Sequence, residues 1–338
     1  MPGDRTENNG DLAVRAAWLS FVGGRTQGEI AQRLGVSAAK VHRLIAQAQR
    51  DGLVRFHIEG RPAACLQLEE QFVRRFELNN CVIAPDLSGE RNSEEQQIGA
   101  VGAAAGQFLA GLLAAADIQQ IGVGMGRTLA AAVSAMPKIA RPDLRVVSIS
   151  GSLMQKLSAN PYDVVQQLAE RCGGEGYFLP VPYFARDVAE RDMFLAQPSV
   201  QELLRLARGS DVFVVGIGSL ESGGHLVSRR IITPRDQETL TRAGAVGDLM
   251  GRFLNIDGEL VHCALGNCAV GLHYHDVRGA RVVALAAGAS KAAATLSALR
   301  AGVVSDLIID ETLAEALAQY VDTAASSVGK AALKGNAA

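Results

Sequence analysis

Two short helices joined by a tight turn are predicted by the run Thr26-Gln27-Gly28-Glu29-Ile30-Ala31-Gln32-Arg33-Leu34-Gly35-Val36-Ser37-Ala38-Ala39-Lys40-Val41-His42-Arg43-Leu44. Thr26 with Glu29 three residues later is the pattern of a capping box at the start of a helix. Gly35 suits the backbone conformation of the turn, and Ser37 is a typical N-cap for the second helix. The apolar positions that face inward where the helices cross are Ile30, Leu34, Val41 and Leu44.

The flanking sequence extends this pair of helices into a small module. Helical periodicity runs from Leu12 to Val22 before it, and the second helix of the pair continues to about Asp51. Residues 53–58 alternate like a short strand, which predicts a wing. Between Asp11 and Glu59, seven basic and four acidic residues leave a net charge of +3, although the whole chain carries −2. A modestly basic module on an acidic body favours a specific DNA reader.

The module has the pattern of a winged helix-turn-helix, whose second helix enters the major groove of DNA. Arg43 is suited to fork onto a guanine edge, and Lys40 or His42 to reach bases or phosphates. The alternative is a three-helix bundle with a solvated polar face, but the capping, the turn and the wing together favour DNA. The predicted DNA-binding residues are Thr26, Gln27, Ser37, Ala38, Lys40, His42, Arg43 and Arg50, within a domain of residues 11–60.

The rest of the chain, residues 61–320, predicts an α/β domain with a doubly wound, mostly parallel sheet. Short apolar runs alternate with longer helical ones after the linker at residues 60–62. The predicted strands include 82–84, 121–123, 145–149, 178–181, 211–215 and 281–286. A helix after the linker carries Leu66, Leu68, Phe72, Val73 and Phe76. It is either an inter-subunit helix or the first helix of this domain.

Four predicted strands end in glycine-containing turns, at residues 122–128, 150–152, 216–219 and 288–291. Ligands of open α/β sheets bind beyond the carboxyl ends of the strands, and turn amides there favour anions. Lys291 falls in a first helical turn, where a cation is unfavourable unless an anion shares it. The sequence therefore predicts a phosphate at Lys291, with Thr128 and Ser152 offering hydroxyls.

Both halves resemble the SorC family of sugar-responsive bacterial regulators, related to DeoR-type regulators, from about Leu12 to Leu317. The resemblance rests on the helix-turn-helix run and on residues 124–128, 150–152, 245–248, 257–258 and 288–291. It implies an effector domain with a fold similar to sugar-phosphate isomerases and a phosphorylated sugar or polyol as effector. It also implies repression of a carbohydrate or polyol catabolic operon and assembly into a homotetramer. The effector-binding residues expected are Gly124, Gly126, Arg127, Thr128, Ser150, Gly151, Ser152, Gly218, Asp248 and Lys291.

The principal alternative is a sugar-phosphate isomerase-like enzyme with an accessory DNA-binding domain. Asp248 or Asp257 would act as its base, but a metabolic isomerase does not need a DNA reader. Lys156 could form a Schiff base with a sugar carbonyl, although a surface lysine is the commoner role. The glycine spacing does not fit a nicotinamide site. The cluster of His262, Cys263, Cys268, His273 and His275 matches no zinc pattern, so no cofactor or metal is expected.

Composition places the chain among cytoplasmic proteins. Its five cysteines are odd in number and unpaired in spacing, which is typical of reduced thiols. We find no pattern of a signal peptide and no apolar run of spanning length, so no membrane partner is expected. Aromatic residues make up 5%, which argues against a protein that stacks on single-stranded nucleic acid. The expected partners are operator DNA, the effector and further copies of the chain, as a dimer to tetramer.

Overall fold

The computed structural model describes residues 9–54, 60–86, 93–152, 164–221 and 224–321. The chain divides into two compact units, Met1–Gly60 and Arg61–Ala338. Of the strand predicted as a wing, residues 53 and 54 are described and are not in a strand, while residues 55–58 lie outside the described residues, as does Lys156. None of the helices in the described ranges is long and apolar enough to span a membrane.

The first unit is helical throughout its described part. Its elements are α1 Asn9–Ala17, a π-helical turn at Trp18–Val22, α2 Gln27–Leu34 and α3 Ala38–Arg50. The predicted capping box is present, since the Glu29 amide donates to Thr26 Oγ1 at 3.4 Å and Glu29 accepts from the Thr26 amide at 2.8 Å. Gly35 ends α2 at a φ of +65°, and Ser37 caps α3. Local side-chain chemistry thus sets the bounds of both helices.

Crossing of α2 and α3 buries the predicted apolar positions. Ile30 and Val41 are fully buried, Leu44 is buried, and Leu34 packs half-buried against them. Leu12, Ala13, Ala16 and Ala17 of α1 complete this small core. Because α1 supplies mostly alanines, its backbone approaches the other helices closely. The predicted first helix begins at Asn9, three residues earlier than its apolar periodicity indicates.

The second unit is built on a mostly parallel sheet, as predicted. Its strands are β1 Asn80–Ala84, β2 Gln120–Val123, β3 Arg145–Ser148, β4 Glu175–Tyr177, β5 Val212–Ser219, β6 Ala245–Leu249, β7 Arg252–Asn255, β8 Arg281–Leu285 and β9 Asp306–Asp310. The parallel strands lie in the order β1-β9-β8-β5-β2-β3-β4. The end of β5 also pairs antiparallel with β6, which forms a hairpin with β7.

Helices cover both faces of this sheet. They are α4 Ala63–Phe76, α5 Glu94–Leu113, α6 Arg127–Ala135, α7 Val164–Cys172, α8 Val188–Leu195, α9 Pro198–Arg208, α10 His225–Ser228, α11 Pro234–Arg242, α12 Ala264–Asn267 and α13 Ala292–Arg300, and residues 311–321 are also helical. Phe213 and Val215 of β5 point into one core, and Val212 and Val214 into another. This alternation is why the strand reads as a continuous apolar run.

Two sequence-based assignments were wrong. The strand expected at 178–181 lies at Glu175–Tyr177, because Gly176 packs against Val165 and pairs with β3 despite its weak apolar pattern. The expected turn at 216–219 is the second half of β5. Its glycines are needed inside the strand, since a Cβ at Gly218 would lie 1.8 Å from Asp248 Oδ1.

The helix after the linker, α4, is the first helix of the second unit. Phe72 is fully buried, and Leu68, Val73 and Phe76 pack against the same core. Leu66 alone of the predicted apolar stripe is exposed, at 42%. Most of the stripe is therefore used inside the chain, and it gives no separate support to an inter-subunit role.

Candidate functional site

The exposed face of α3 carries most of the residues predicted to read DNA. Ala38, Ala39, His42 and Arg43 are exposed, and Lys40 is half-buried. Arg43 makes no hydrogen bond or ion pair with the described residues, so its guanidinium is available to an outside acceptor. Arg50 is exposed at the last turn of the same helix.

Thr26, Gln27 and Ser37 lie at the starts of the two helices and are exposed. Thr26 Oγ1 and Ser37 Oγ already accept backbone hydrogen bonds as caps. The Thr26 hydroxyl also donates its hydrogen to Glu29. It can therefore donate to DNA only if that bond to Glu29 is given up. The fixed geometry of these caps is what orients α3.

A cleft lies at the carboxyl ends of β2, β5 and β8 in the second unit. Its empty volume is about 610 Å³, counting the space open to solvent. The polar lining side chains are Arg127, Thr128, Tyr183, His225, Asp248 and Lys291. The apolar ones are Ile98, Met125, Leu129, Ile217 and Leu226. We call this the effector cleft.

The effector cleft gathers six of the ten predicted effector residues. These are Gly126, Arg127, Thr128, Gly218, Asp248 and Lys291. Gly124 lies beside it without lining it, and its amide donates to the Val214 carbonyl at 2.9 Å. The elements that bring the six together are distant in sequence, and only the parallel order of β2, β5 and β8 makes them neighbours.

The turn at Ser150, Gly151 and Ser152 does not line the effector cleft. The Gly151 amide donates to Val270 O at 2.9 Å, and the Ser152 amide donates to Val181 O at 2.8 Å. A Cβ on Gly151 would lie 2.2 Å from the Pro182 carbonyl oxygen, so the backbone there is closely covered. Gly151 is therefore needed for close backbone packing, and the amides of Gly151 and Ser152 are not free to bind an anion.

Lys291 lies at the start of α13, after a short 3-10 turn at Ala289–Lys291. Burial and, to a smaller extent, the nearby Arg127 charge lower the pKa of its ammonium to about 8. Glu94, Asp248 and Asp310 act in the opposite direction, but among the described residues no carboxylate lies within ion-pair distance of Lys291. Lys291 is therefore a charged, poorly compensated donor at neutral pH.

Arg127 begins α6 and lines the same cleft. Its guanidinium pairs with Glu94 of α5, and 25% of its side chain is exposed. Two cations therefore line one cleft. Arg127 is paired with a carboxylate, and Lys291 has no carboxylate within ion-pair distance among the described residues. Such a pair attracts an anion that has oxygens to share between them.

Asp248 supplies the negative charge of the effector cleft. Burial raises the pKa of its carboxyl to about 6. Hydrogen bonds from the Gly251 amide, at 3.2 Å, and from the Tyr183 hydroxyl act to lower it, as does the Lys291 charge. Asp248 is thus ionised at neutral pH, and its remaining lone pairs can accept hydrogen bonds from sugar hydroxyls.

His225 is a cleft residue that the sequence analysis missed. Burial and the charges of Arg127, Arg229 and Lys291 lower the pKa of its imidazole to about 4, so it is neutral at neutral pH. Tyr183 was also missed. His225 lies in no recognisable motif, and Tyr183 follows the strand predicted at 178–181 without a glycine turn to mark a ligand site.

An aspartate of the protein already accepts one of the backbone hydrogen bonds that the glycine turn after β8 can donate. The Gly288 amide donates to Asp310 Oδ2 at 2.6 Å, and Gly288 has a φ of +95°. Asp310 Oδ1 also accepts from the Leu313 amide at 3.1 Å. A carboxylate of β9 therefore fixes the turn and aims Lys291 into the cleft. The described residues contain no group of three or more His, Cys, Asp or Glu side chains arranged to hold a metal ion.

Two family models match the chain. One, described as "Putative sugar-binding domain", matches residues 60–319, and one of the MarR family matches residues 16–61. The Erythritol catabolism regulatory protein EryD of Brucella abortus is 38% identical over 306 residues, which cover 90% of this chain and 96% of EryD. The transcriptional regulator LsrR of Escherichia coli K12 is 28% identical over 311 residues, covering 91% of this chain and 94% of LsrR.

Solved structures share the fold. The sugar-binding domain of a transcriptional repressor from Vibrio fischeri superposes with a TM-score of 0.66 at 28% identity, over 76% of this chain and 99% of that one. The full-length sorbitol operon regulator SorC from Klebsiella pneumoniae superposes with a TM-score of 0.66 at 24% identity, over 91% of this chain and 99% of SorC. These relatives are transcriptional regulators, so the alternative of a sugar-phosphate isomerase is not retained.

Proposed function

The chain belongs to the SorC family of sugar-binding transcriptional regulators, and on this premise we propose that it represses an operon for polyol or sugar catabolism until a phosphorylated form of that compound binds. The similarity to a regulator of erythritol catabolism favours a short polyol. The similarity to the domain of a transcriptional repressor favours repression.

The observation that carries the effector assignment is the charge arrangement of one cleft. Arg127 and Lys291 present two cations, and the buried carboxylate of Asp248 lies within reach of the same space. Phosphate accepts charge-assisted hydrogen bonds from both cations, while polyol hydroxyls donate to the carboxylate. Gly126 and Thr128 border the phosphate end, and Gly218 leaves room for Asp248.

On the DNA side, we assign operator binding to residues 11–60, with the face of α3 in the major groove. Arg43 reads a base, and Arg50 contacts the phosphate backbone. A palindromic operator requires paired readers, so the active form is at least a dimer, with a tetramer as the expected assembly. We expect operator binding to take place in the bacterial cytoplasm.

Fluorescence anisotropy on the promoter DNA next to the gene tests this function. Erythritol phosphate should release the DNA at concentrations where unphosphorylated erythritol does not, because the phosphate meets both cations. Sorbitol phosphate tests whether a longer polyol releases the DNA, and inorganic phosphate tests whether the anion alone is enough. Release by free erythritol at the same concentration would refute the phosphorylated effector. Tighter DNA binding in the presence of the phosphate would refute repression.

A further inference from the structure

A second cleft lies beside the first residue of β7, Arg252. It has a volume of about 420 Å³, counting the space open to solvent, and shares no lining residue with the effector cleft. Its polar lining comes from Arg191, Arg252, His262, Asn267 and His273. No aspartate or glutamate lines it, so its side chains carry an excess of positive charge.

Arg252, the first residue of β7, is the half-buried cation of this cleft. Its Nη1 donates to the Gly266 carbonyl at 2.9 Å and its Nη2 to the Ala269 carbonyl at 3.4 Å. Among the described residues no carboxylate lies within ion-pair distance of its guanidinium. Carbonyls hold the group in place without neutralising it, and a guanidinium has further N–H donors to offer.

Arg191 of α8 brings a second guanidinium to the same cleft. Its Nη1 donates to the Asn267 carbonyl at 2.6 Å, and its Nε and Nη2 both donate to Asp192 Oδ1, at 2.9 and 2.5 Å. Asp192 is 60% exposed and does not line the cleft, so water screens its charge. Both arginines therefore line a cleft whose other lining residues are neutral.

His273 adds a directed donor. Its Nδ1 accepts a hydrogen bond from the His275 amide at 3.1 Å. Burial and the charges of Arg252 and His275 lower the pKa of His273 to about 4, so the ring is neutral at neutral pH. A neutral imidazole that accepts at Nδ1 carries its proton on Nε2. The ring thus has an N–H to donate elsewhere.

We propose that the second cleft binds a phosphoryl group, on a ligand other than the one in the effector cleft. The donors come from α8, from β7 and from the loops around His262 and His273, so they approach from several sides. A tetrahedral oxyanion offers acceptors in all of these directions, whereas a carboxylate offers them in one plane. A purely structural role accounts for the carbonyl bonds of Arg252 and for the bonds of Arg191 to Asn267 and Asp192, but it leaves the convergence of two arginines on a cleft without acidic lining unexplained.

Inorganic phosphate is the probe, and the full-length chain carrying Lys291→Met is the background, because that change removes a cation of the effector cleft. Calorimetry should show one phosphate bound per chain. Adding Arg191→Gln should weaken it about tenfold, the equivalent of one charge-assisted hydrogen bond. Arg252→Lys should weaken it as well, because the ammonium keeps the charge but loses the fork. Arg235→Gln, which removes an exposed arginine that lines neither cleft, is the matched control.

Nuclear magnetic resonance of the histidine rings locates the anion. Phosphate should shift the ring signals of His262 and His273 in the Lys291→Met protein, and Arg191→Gln should suppress the shift. Phosphate binding that both arginine variants leave unchanged would show an adventitious ion only and would overturn the proposal. Absence of any binding in the Lys291→Met background would overturn it too. Neither result bears on the operator or on the effector, since the measurement uses neither.

Discussion

Replacing Lys291 with alanine removes the uncompensated cation of the effector cleft. The ammonium is largely buried, its pKa is lowered to about 8, and the described residues hold no carboxylate at ion-pair distance from it. An arriving phosphate would supply that missing partner. The variant tests whether the charge is kept for a ligand or is only tolerated.

The expected loss follows from one charge-assisted hydrogen bond. Such bonds contribute about 1.5–3 kcal/mol, which corresponds to roughly a tenfold to hundredfold loss of effector affinity. Arg127 remains in the cleft, so binding weakens without disappearing. Folding should not suffer. The pKa of Lys291 is lower in the folded chain than the ordinary value of 10.5 for a lysine, so the charged side chain disfavours the folded state at neutral pH by at most about 3 kcal/mol.

The pH dependence gives an independent measurement on the same residue. A bound phosphate favours the charged ammonium, so effector affinity should be full below pH 8 and should fall as the pH rises above 8. This alkaline fall should be absent from Lys291→Ala. Calorimetry between pH 7 and pH 9 in both proteins checks it, because the wild type alone takes up a proton on binding at the upper end.

Lys138→Ala is the matched control, because Lys138 is exposed and does not line the effector cleft. It should bind effector and DNA like the wild type. Lys291→Ala should bind operator DNA normally without effector, and it should need a higher effector concentration to release it. An unchanged effector affinity in Lys291→Ala would place the anion elsewhere and refute the reasoning.

Other variants test the remaining parts of the site. Arg43→Ala should weaken operator binding by about 1–3 kcal/mol and relax preference at one base pair, whereas Arg50→Ala should weaken all sequences alike and flatten the salt dependence, both by anisotropy titration. Gly218→Ala should lower Tm and effector affinity, since its Cβ would lie 1.8 Å from Asp248 Oδ1, while Gly111→Ala, which meets nothing within 4 Å, should not. The pKa of the Asp248 carboxyl is raised to about 6 in the fold, so the native state keeps its proton to a higher pH than the unfolded chain does. The free energy of unfolding should therefore fall by at most about 3 kcal/mol as the pH rises from 4 to 6, and Asp248→Asn should remove this fall. Light scattering at micromolar concentration should return a dimer or larger, and a monomer mass would contradict the proposed assembly.

The sequence by itself determined the features that depend on neighbours along the chain. The capping box at Thr26 and Glu29, the left-handed Gly35 and the cap at Ser37 fixed the helix pair, because each is satisfied within four residues. The alternation of apolar runs with helical ones predicted the mostly parallel sheet, because the period of each run is set by residues close together in the chain. Lys291 was marked by a local conflict between a cation and a helix start.

Tertiary structure alone decided which of these residues meet. The sequence marked all four glycine turns as candidate ligand sites, but strand order brought the ends of β2, β5 and β8 together and left the 150–152 turn outside the cleft. The β6–β7 hairpin then extended β5 through its glycines and pressed Asp248 against Gly218. His225 and Tyr183 entered the cleft through packing across distant segments. Contacts of this kind have no period along the chain, because they depend on which strands pair and on how closely the backbones approach.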